Sequence, residues 1–186
     1  NLIDTPGHVD FSYEVSRALA ACEGAILLID AVSGIQAQTL TVYRQAKSQN
    51  LKIIPVLNKI DLPGARVEDV TLDICETFGF DPDEVLTVSA KTGLGVKEIL
   101  ETIIKKVPSP ANKDQLPLKA LVFDSKFDQH RGVIADVRIF EGTISQNEKL
   151  RLMASNSQFS APEIGYYAPF QTPKQILHSS EAGYIC

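Results

Sequence analysis

The sequence is poor in residues that cross-link a chain or bind metals. Its three cysteines form no CxxC pair and no cluster with the spacing of a zinc site: Cys22, Cys75 and Cys186. We interpret them as buried, reduced thiols of a cytosolic protein. The longest apolar run, residues 25–29, is far too short to span a bilayer. Nothing here indicates a disulfide scaffold, a zinc site or a transmembrane helix.

Positive charge is not in excess either. The formal net charge is −5, whereas a free-standing nucleic-acid-binding domain is usually basic. The net charge does not exclude contacts with RNA through local patches of the surface. The 186 residues, 44% of them hydrophobic, are enough to bury the core of one domain, or of one domain and part of another.

The usual features of a natural N-terminus are also missing. There is no initiator methionine and no signal peptide. The opening residues, Asn1-Leu2-Ile3, have the pattern of the middle of a β-strand. We therefore expect the chain to be part of a longer protein.

Helical and strand patterns alternate in the first 108 residues. Short strands that are apolar on both faces are predicted at 2–3, 25–29, 53–57 and 85–88, and helices at 9–21, 36–50, 66–78 and 96–107. Such alternation is typical of a parallel sheet covered by helices on both sides. The predicted fold class of this half is α/β.

The pattern changes after residue 108. Residues 109–116 form a polar linker, and strands dominate from 117 to 186. They are predicted at 118–124, 132–140, 148–153, 163–167 and 183–186, with Glu141-Gly142 as the turn of a hairpin whose returning strand is 148–153. The predicted organisation is an α/β domain at 1–108, a linker at 109–116 and a partial antiparallel β-barrel at 117–186.

Three short polar motifs follow predicted strands, at the edge where open α/β sheets bind ligands. The first comprises Asp4, Thr5, Pro6, Gly7 and His8. An aspartate at a strand end can hold Mg²⁺, usually through water, beside the phosphates of a nucleotide. Gly7 lets a backbone N–H approach a terminal phosphate, and His8 can orient an attacking water. A plain turn before a helix, with a structural histidine, is the alternative.

The second motif, Asn58-Lys59-Ile60-Asp61, follows the strand at 53–57. The Asp61 carboxylate can accept hydrogen bonds from N1–H and the exocyclic amine of guanine, a donor pair that adenine lacks. Asn58 can bond the base edge and brace the loop, and the aliphatic stem of Lys59 can lie over the ring. A simple turn is the alternative, since Asn and Asp favour turns.

The third motif, Ser89-Ala90-Lys91, follows the strand at 85–88. A backbone N–H of this motif can donate to guanine O6, while Ser89 and Lys91 hold the loop and the base. Alone, the motif could simply begin a helix. All three motifs, in this order and each after a strand, resemble the motif set of the P-loop GTPases.

Two parts of such a site are absent from the sequence. No GxxxxGK[ST] phosphate loop occurs in the chain, and neither does the upstream segment whose threonine would complete the metal site. We therefore expect the 186-residue chain by itself to bind GTP poorly and not to hydrolyse it at a useful rate.

The residues around the motifs resemble one family of translational GTPases, that of elongation factor 4 (LepA). The resemblance lies in residues 4–17, 20–25, 34–39 and 55–63, and then in 124–128, 131–133, 163–166 and 172–174. It covers essentially the whole chain, with looser agreement at 155–162 and 168–171. It supports the α/β GTPase domain and the barrel as the two folds.

This resemblance implies a GTP hydrolase that the ribosome activates and that binds GTP or GDP with Mg²⁺. Asp4 would be the metal residue and His8 the catalytic one. The nucleotide would be bound by Asp4, Thr5, Pro6, Gly7, His8, Asn58, Lys59, Asp61, Ser89, Ala90 and Lys91.

The same resemblance implies where the protein acts. It implies a monomer that binds ribosomal RNA and ribosomal proteins, contacts tRNA through domains outside this chain, and binds no DNA. The expected location is the cytoplasm, with peripheral association with the cytoplasmic face of the bacterial membrane as a family property. An organellar source stays open.

Two alternatives remain at this point. The chain could belong to another translational GTPase, such as an elongation factor G-like protein, which sequence beyond Cys186 would distinguish. It could instead be a non-catalytic module that docks on ribosomes, and the sequence upstream of Asn1 would decide that.

Overall fold

The computed structural model describes residues 1–5 and 11–186 of the chain. The described residues divide into two compact units. The first is the described part of Pro6–Ser109, and the second consists of Pro110–Cys186 together with Asn1–Thr5.

The first unit is a parallel sheet with helices. Its strands are β1 (Gly24–Asp30), β2 (Lys52–Asn58) and β3 (Leu86–Thr87), in that spatial order. Its helices are α1 (Ser12–Ala20), α2 (Ala37–Ser48), α3 (Val67–Phe78) and α4 (Val96–Lys106), with a short 3₁₀ turn at Pro82–Glu84. The predicted α/β class is confirmed, and the predicted elements from residue 25 to residue 107 agree with the observed bounds within two residues.

Helix α3 shows why these segments adopt their structures. Val70, Ile74 and Phe78 recur every fourth residue and are buried against the sheet. Gly79 has a φ of 76° and ends the helix, a conformation that favours glycine. The helix therefore covers the face of the sheet that carries Leu27, Ile29 and Leu57 in the same core.

The opposite face of the sheet is covered less completely. Helix α4 packs there over β2 and the end of β3, where Ile54, Val56 and Val88 are buried. On β1, by contrast, Ile26 and Leu28 are 41% and 58% exposed. Among the described residues, the predicted cover of helices on both faces is thus complete over β2 but not over β1.

The second unit is built from antiparallel strands. Five of them form one sheet in the order β10-β9-β12-β5-β4, and two further pairs, β11 with β6 and β7 with β8, lie beside it. The strands are β4 (Lys119–Asp128), β5 (Gly132–Glu141), β6 (Ile144–Ser145), β7 (Lys149–Arg151), β8 (Gln158–Ser160), β9 (Ile164–Tyr167), β10 (Gln171–Pro173), β11 (Ile176–Leu177) and β12 (Ala182–Ile185).

One apolar cluster joins these sheets. Its buried members come from six strands and one loop: Val137, Ile139, Ile144, Leu150, Ala161, Ile164, Leu177 and Ile185. Antiparallel sheets that share one core fit the predicted β-barrel class.

The predicted strand at Leu2-Ile3 is wrong. Residues 1–5 form no regular secondary structure and belong to the second unit. A strand needs a neighbour for its backbone hydrogen bonds, and the described structure offers Leu2 and Ile3 none in a ladder. The start of the predicted helix at 9–21 lies outside the described residues, and the helix is observed from Ser12.

The predicted hairpin around Glu141-Gly142 is also wrong. The chain does turn there, with φ of 73° at Gly142, but β5 does not pair with the strand at 149–151. Its neighbours are β4 and β12, while β7 pairs with β8. Because β5 is already bonded along both edges, the returning chain has no edge left to join.

The C-terminal part of the predicted linker is attached to the second unit. The Asp114 carboxylate accepts a hydrogen bond from the Ser179 N–H at 2.8 Å, and its other oxygen lies 3.0 Å from His178 Nδ1. The Lys113 N–H donates to Ser179 Oγ at 2.8 Å. Residues 113 and 114 therefore belong structurally to the barrel.

The three cysteines are free thiols and are partly buried. No described helix is both long and apolar enough to cross a membrane.

We predict that Ile74→Ala destabilises the first unit by about 2–5 kcal/mol, because it leaves a cavity under α3 where Ile74 is now fully buried. Urea unfolding followed by helical circular dichroism measures this, since the described helices all lie in this unit. Leu72→Ala, on the exposed side of the same helix, is the matched control and should change stability by less than about 0.5 kcal/mol. Equal losses in the two variants would contradict the assigned faces of α3.

Candidate functional site

The described parallel strands end at one edge of the sheet, and two of the predicted motifs meet there. Asp30 at the end of β1 lies opposite Asn58 at the end of β2 in the parallel register. Asn58 ends β2, and Ser89 lies two residues after the end of the neighbouring strand β3. The two chain segments are bonded there, since the Val88 N–H donates to the Leu57 carbonyl at 2.8 Å. The sheet therefore brings together segments that are about thirty residues apart in sequence, as expected for a ligand-binding edge.

Asn58 joins the second motif to the third. Its side-chain Oδ1 accepts hydrogen bonds from the Lys59 N–H at 2.8 Å and from the Ala90 N–H at 3.0 Å. The carboxamide thus bridges its own loop and the loop that follows β3. This is the bracing role that the sequence predicts for Asn58.

Ser89 and Asp61 form the second bridge between the motifs. The Ser89 hydroxyl donates to Asp61 Oδ1 at 2.7 Å and accepts from the Thr92 N–H at 3.2 Å. Ser89 is fully buried, so its hydroxyl is held by both contacts instead of by water. The Asp61 side chain is therefore held by the neighbouring loop.

The Asp61 carboxylate keeps acceptor capacity. Asp61 is exposed, and among the described residues its hydrogen bond to Ser89 uses only Oδ1. A carboxylate offers about four acceptor positions. The predicted pairing with two N–H groups of guanine is therefore compatible with the observed contact.

The Ala90 N–H is engaged in this structure. Because it donates to Asn58 Oδ1, a bond to guanine O6 requires either a shared, three-centre hydrogen bond or a shift of the Asn58 side chain. Lys91 is exposed beside it. Recognition of O6 by this loop stays a prediction.

Sequence reasoning missed Asp30, which completes this edge. Its Oδ2 lies 2.6 Å from Lys59 Nζ, and its Oδ1 accepts from the N–H groups of Val32 at 2.7 Å and Ser33 at 3.2 Å. The hydrogen bond from Lys59, with those from Val32 and Ser33, lowers the pKa of the Asp30 carboxyl from its usual value. The available signal was its position, since Asp30 ends a predicted strand as the other site residues do.

The phosphate side of the predicted site is not assembled by the described residues. Asp4 and Thr5 are exposed and belong to the second unit, and Pro6, Gly7 and His8 lie outside the described residues. The described part of the chain contains no group of three or more His, Cys, Asp or Glu side chains that could hold a metal. The single carboxylate of Asp4 suits Mg²⁺ as one hard oxygen ligand among waters and phosphate oxygens.

Residues 1–109 match the family model described as the elongation factor Tu GTP binding domain, which is more than half of the chain. The chain belongs to this GTPase family. The two cross-linked loops, at 58–61 and 89–91, lie within the matched region of the GTPase domain.

The whole of this GTPase chain is similar to proteins named elongation factor 4. It is 54% identical to the one from Phytoplasma mali, 52% to that from a Hydrogenobaculum species and 55% to one from Dehalococcoides mccartyi, each over 185 residues. The match covers 100% of this chain and 31% of each relative. The resemblance to the elongation factor 4 family is thereby confirmed, and the chain spans about a third of the length of these relatives.

We predict that Asp30→Asn lowers the free energy of unfolding by less than about 1 kcal/mol at neutral pH, because the Lys59 side chain is 53% exposed and solvent screens the pair. The pKa of Asp30 is lower in the folded than in the unfolded chain, so the unfolded chain takes up the proton first. The stabilisation is therefore complete above the unfolded pKa and disappears as the pH falls through the folded pKa.

Urea unfolding of the wild type and the variant over a falling pH series measures this difference. The two curves should converge at acidic pH, where both chains are neutral at this position. Glu101→Gln, which breaks the exposed Lys97–Glu101 pair at 3.8 Å, is the control and should show almost no difference at any pH. A difference that grows as the pH falls would contradict the assigned sign.

Proposed function

We propose that the complete protein is a ribosome-activated GTP hydrolase of the elongation factor 4 type, and that this chain supplies its guanine-recognition edge. The observation that carries the proposal is the pair of bridges between the motifs, Asn58 to Ala90 at 3.0 Å and Ser89 to Asp61 at 2.7 Å. Two loops with the residues for guanine recognition are thereby held as one rigid element. In this proposal residues 1–108 belong to the GTPase domain and 117–186 to the barrel. Residues 109–116 form the linker, of which 113 and 114 are hydrogen-bonded to the barrel.

Guanine selection would rest on Asp61. Its carboxylate accepts from N1–H and from the exocyclic amine of guanine, and adenine would leave it without this donor pair. Because Ser89 already holds one oxygen of Asp61, the side chain loses little conformational freedom when the base binds. Asn58, Lys59, Ala90 and Lys91 would complete the contacts to the base.

The phosphate end would use the first motif. Asp4 would hold Mg²⁺ through water, with Thr5 and Pro6 shaping the turn, and the Gly7 N–H would face the γ-phosphate. When bound, Mg²⁺ neutralises charge on the phosphate oxygens. His8 would orient the water that attacks the γ-phosphorus, so that GDP and phosphate are the products.

The ribosome would be the partner that makes the enzyme active, through ribosomal RNA and ribosomal proteins. Contacts with tRNA would come from parts of the complete protein outside this chain. We propose a cytoplasmic monomer that binds no DNA and that associates peripherally with the cytoplasmic face of the bacterial membrane, as the family resemblance implies. The relatives favour elongation factor 4 over an elongation factor G-like protein, because the ones reported above are named elongation factor 4 and match the whole chain at 52–55% identity.

We predict that Asp61→Asn in the complete protein weakens GDP binding by roughly 10- to 1,000-fold and improves binding of xanthosine diphosphate. Asparagine replaces one acceptor by a donor, which suits the C2 oxygen of xanthine where guanine has an amine. The variant keeps an oxygen to accept the bond from Ser89, so the loop bridge persists. Equilibrium titration with both nucleotides measures the exchange.

Asp73→Asn, an exposed change in the middle of α3, is the matched control and should leave both affinities unchanged. If the Asp61→Asn variant prefers GDP over xanthosine diphosphate as strongly as the wild type does, Asp61 does not recognise guanine.

We also predict that His8→Ala abolishes the stimulation of GTP hydrolysis by ribosomes. Positioning and polarising the water is worth about 10²- to 10⁴-fold in rate, whereas nucleotide affinity should hardly change. Multiple-turnover GTP hydrolysis by the complete protein, with and without ribosomes, gives the rate, and GDP titration gives the affinity. A wild-type protein that binds GTP but shows no stimulation would break the link to translation.

A further inference from the structure

The Lys59 side chain is anchored at both of its ends. Its backbone lies in the left-handed region, with a φ of 65°, and its N–H is bonded to Asn58 Oδ1 at 2.8 Å. Its ammonium group lies 2.6 Å from Asp30 Oδ2. A lysine side chain has one of the largest rotamer entropies of any residue, so such double anchoring restricts it strongly.

The Asp30 carboxylate is itself held by backbone hydrogen bonds. Its Oδ1 accepts from the Val32 and Ser33 N–H groups, and the turn closes with the Gly34 N–H donating to the Asp30 carbonyl at 2.8 Å. Gly34 takes a φ of 68° there, which favours glycine. Oδ2 is left to face Lys59, and the Asp30 side chain is 25% exposed.

The strand register makes this geometry possible. Asp30 pairs with Asn58 across β1 and β2, and the Ala31 N–H donates to the Asn58 carbonyl at 2.8 Å. Lys59 is the next residue, so its side chain can reach the end of β1. The pair therefore connects two strand ends of the same binding edge.

We propose that Asp30 is a positioning residue for guanine nucleotides, which acts by holding the Lys59 ammonium at the end of β1 so that the lysine stem is already in place for the base. This proposal rests on the proposed function. An ordinary exposed ion pair would add a little stability and would have no effect on ligand affinity. A positioning pair instead lowers the entropy that is lost on binding, and so acts on affinity.

The test is a double-mutant cycle on GDP affinity in the complete protein, with Asp30→Asn, Lys59→Met and the double variant. Methionine keeps an unbranched, largely apolar stem and removes the ammonium group. Asparagine keeps an oxygen for the Val32 and Ser33 N–H groups, so the turn after β1 is preserved. Urea unfolding of each variant shows that it is folded, and Glu101→Gln serves as the control for loss of an exposed ion pair.

We expect Asp30→Asn to weaken GDP binding roughly three- to thirtyfold, with faster dissociation and an equal loss for GTP, because Lys59 acts at the base end of the ligand. In the Lys59→Met background the Asp30 change should have no further effect, since it acts only through the ammonium group. A purely structural role for Asp30 would not show this dependence on Lys59.

Two results would overturn the proposal. One is a GDP affinity of the Asp30→Asn variant within twofold of the wild type, and the other is full additivity of the two single changes. Either result shows that Asp30 does not position Lys59 for the nucleotide. The proposed function is unaffected if the wild type still binds guanine nucleotides and Asp61→Asn still alters the base preference. A wild type that binds no guanine nucleotide would remove both.

Discussion

The in-register parallel pairing of β1 with β2 is the interaction on which the candidate site depends. It runs without a slip from Gly24 opposite Lys52 to Asp30 opposite Asn58, so both strands end at the same level. A shift by one residue would turn each side chain to the other face of the sheet and separate the strand ends. Buried Leu27, Ile29 and Leu57 oppose such a shift, because their burial fixes which face carries the core. Core packing thus determines where the polar ends of the strands meet.

The polar side chains at this edge mainly hold one another. Asn58 bonds to the Ala90 backbone and Ser89 to Asp61. Such contacts restrict the loops, and a preorganised site loses less entropy on binding than a mobile one. This makes the loops after β2 and β3 a single element, although each is only a few residues long. Asp30 adds the end of β1 to that element through Lys59.

Much of the fold and part of the site could be predicted, for physical reasons that differ between elements. Segments such as α3 and β2 have an apolar pattern that identifies them locally, whatever surrounds them. Leu2-Ile3 has the same local pattern as a strand but no neighbour to pair with, so the local pattern misleads. The neighbours of β5 could not be read from sequence order, because β12 lies about forty residues further along the chain and still takes the edge that a hairpin would use. More than one strand can bond to the same edge of β5, and which strand does so is determined only in the folded barrel.

The sequence by itself determined the alternation of strands and helices, the three motifs and the GTPase family, because each depends on residue types at short spacing. The tertiary structure alone decided that Asp30 holds Lys59, that Asn58 bonds to Ala90, and which strands flank β5. These partners are 29 and 32 residues apart in the first two cases. Side chains at such separations meet only after the strands have paired, and the free energy for that pairing comes from the buried core rather than from the polar residues that it brings together.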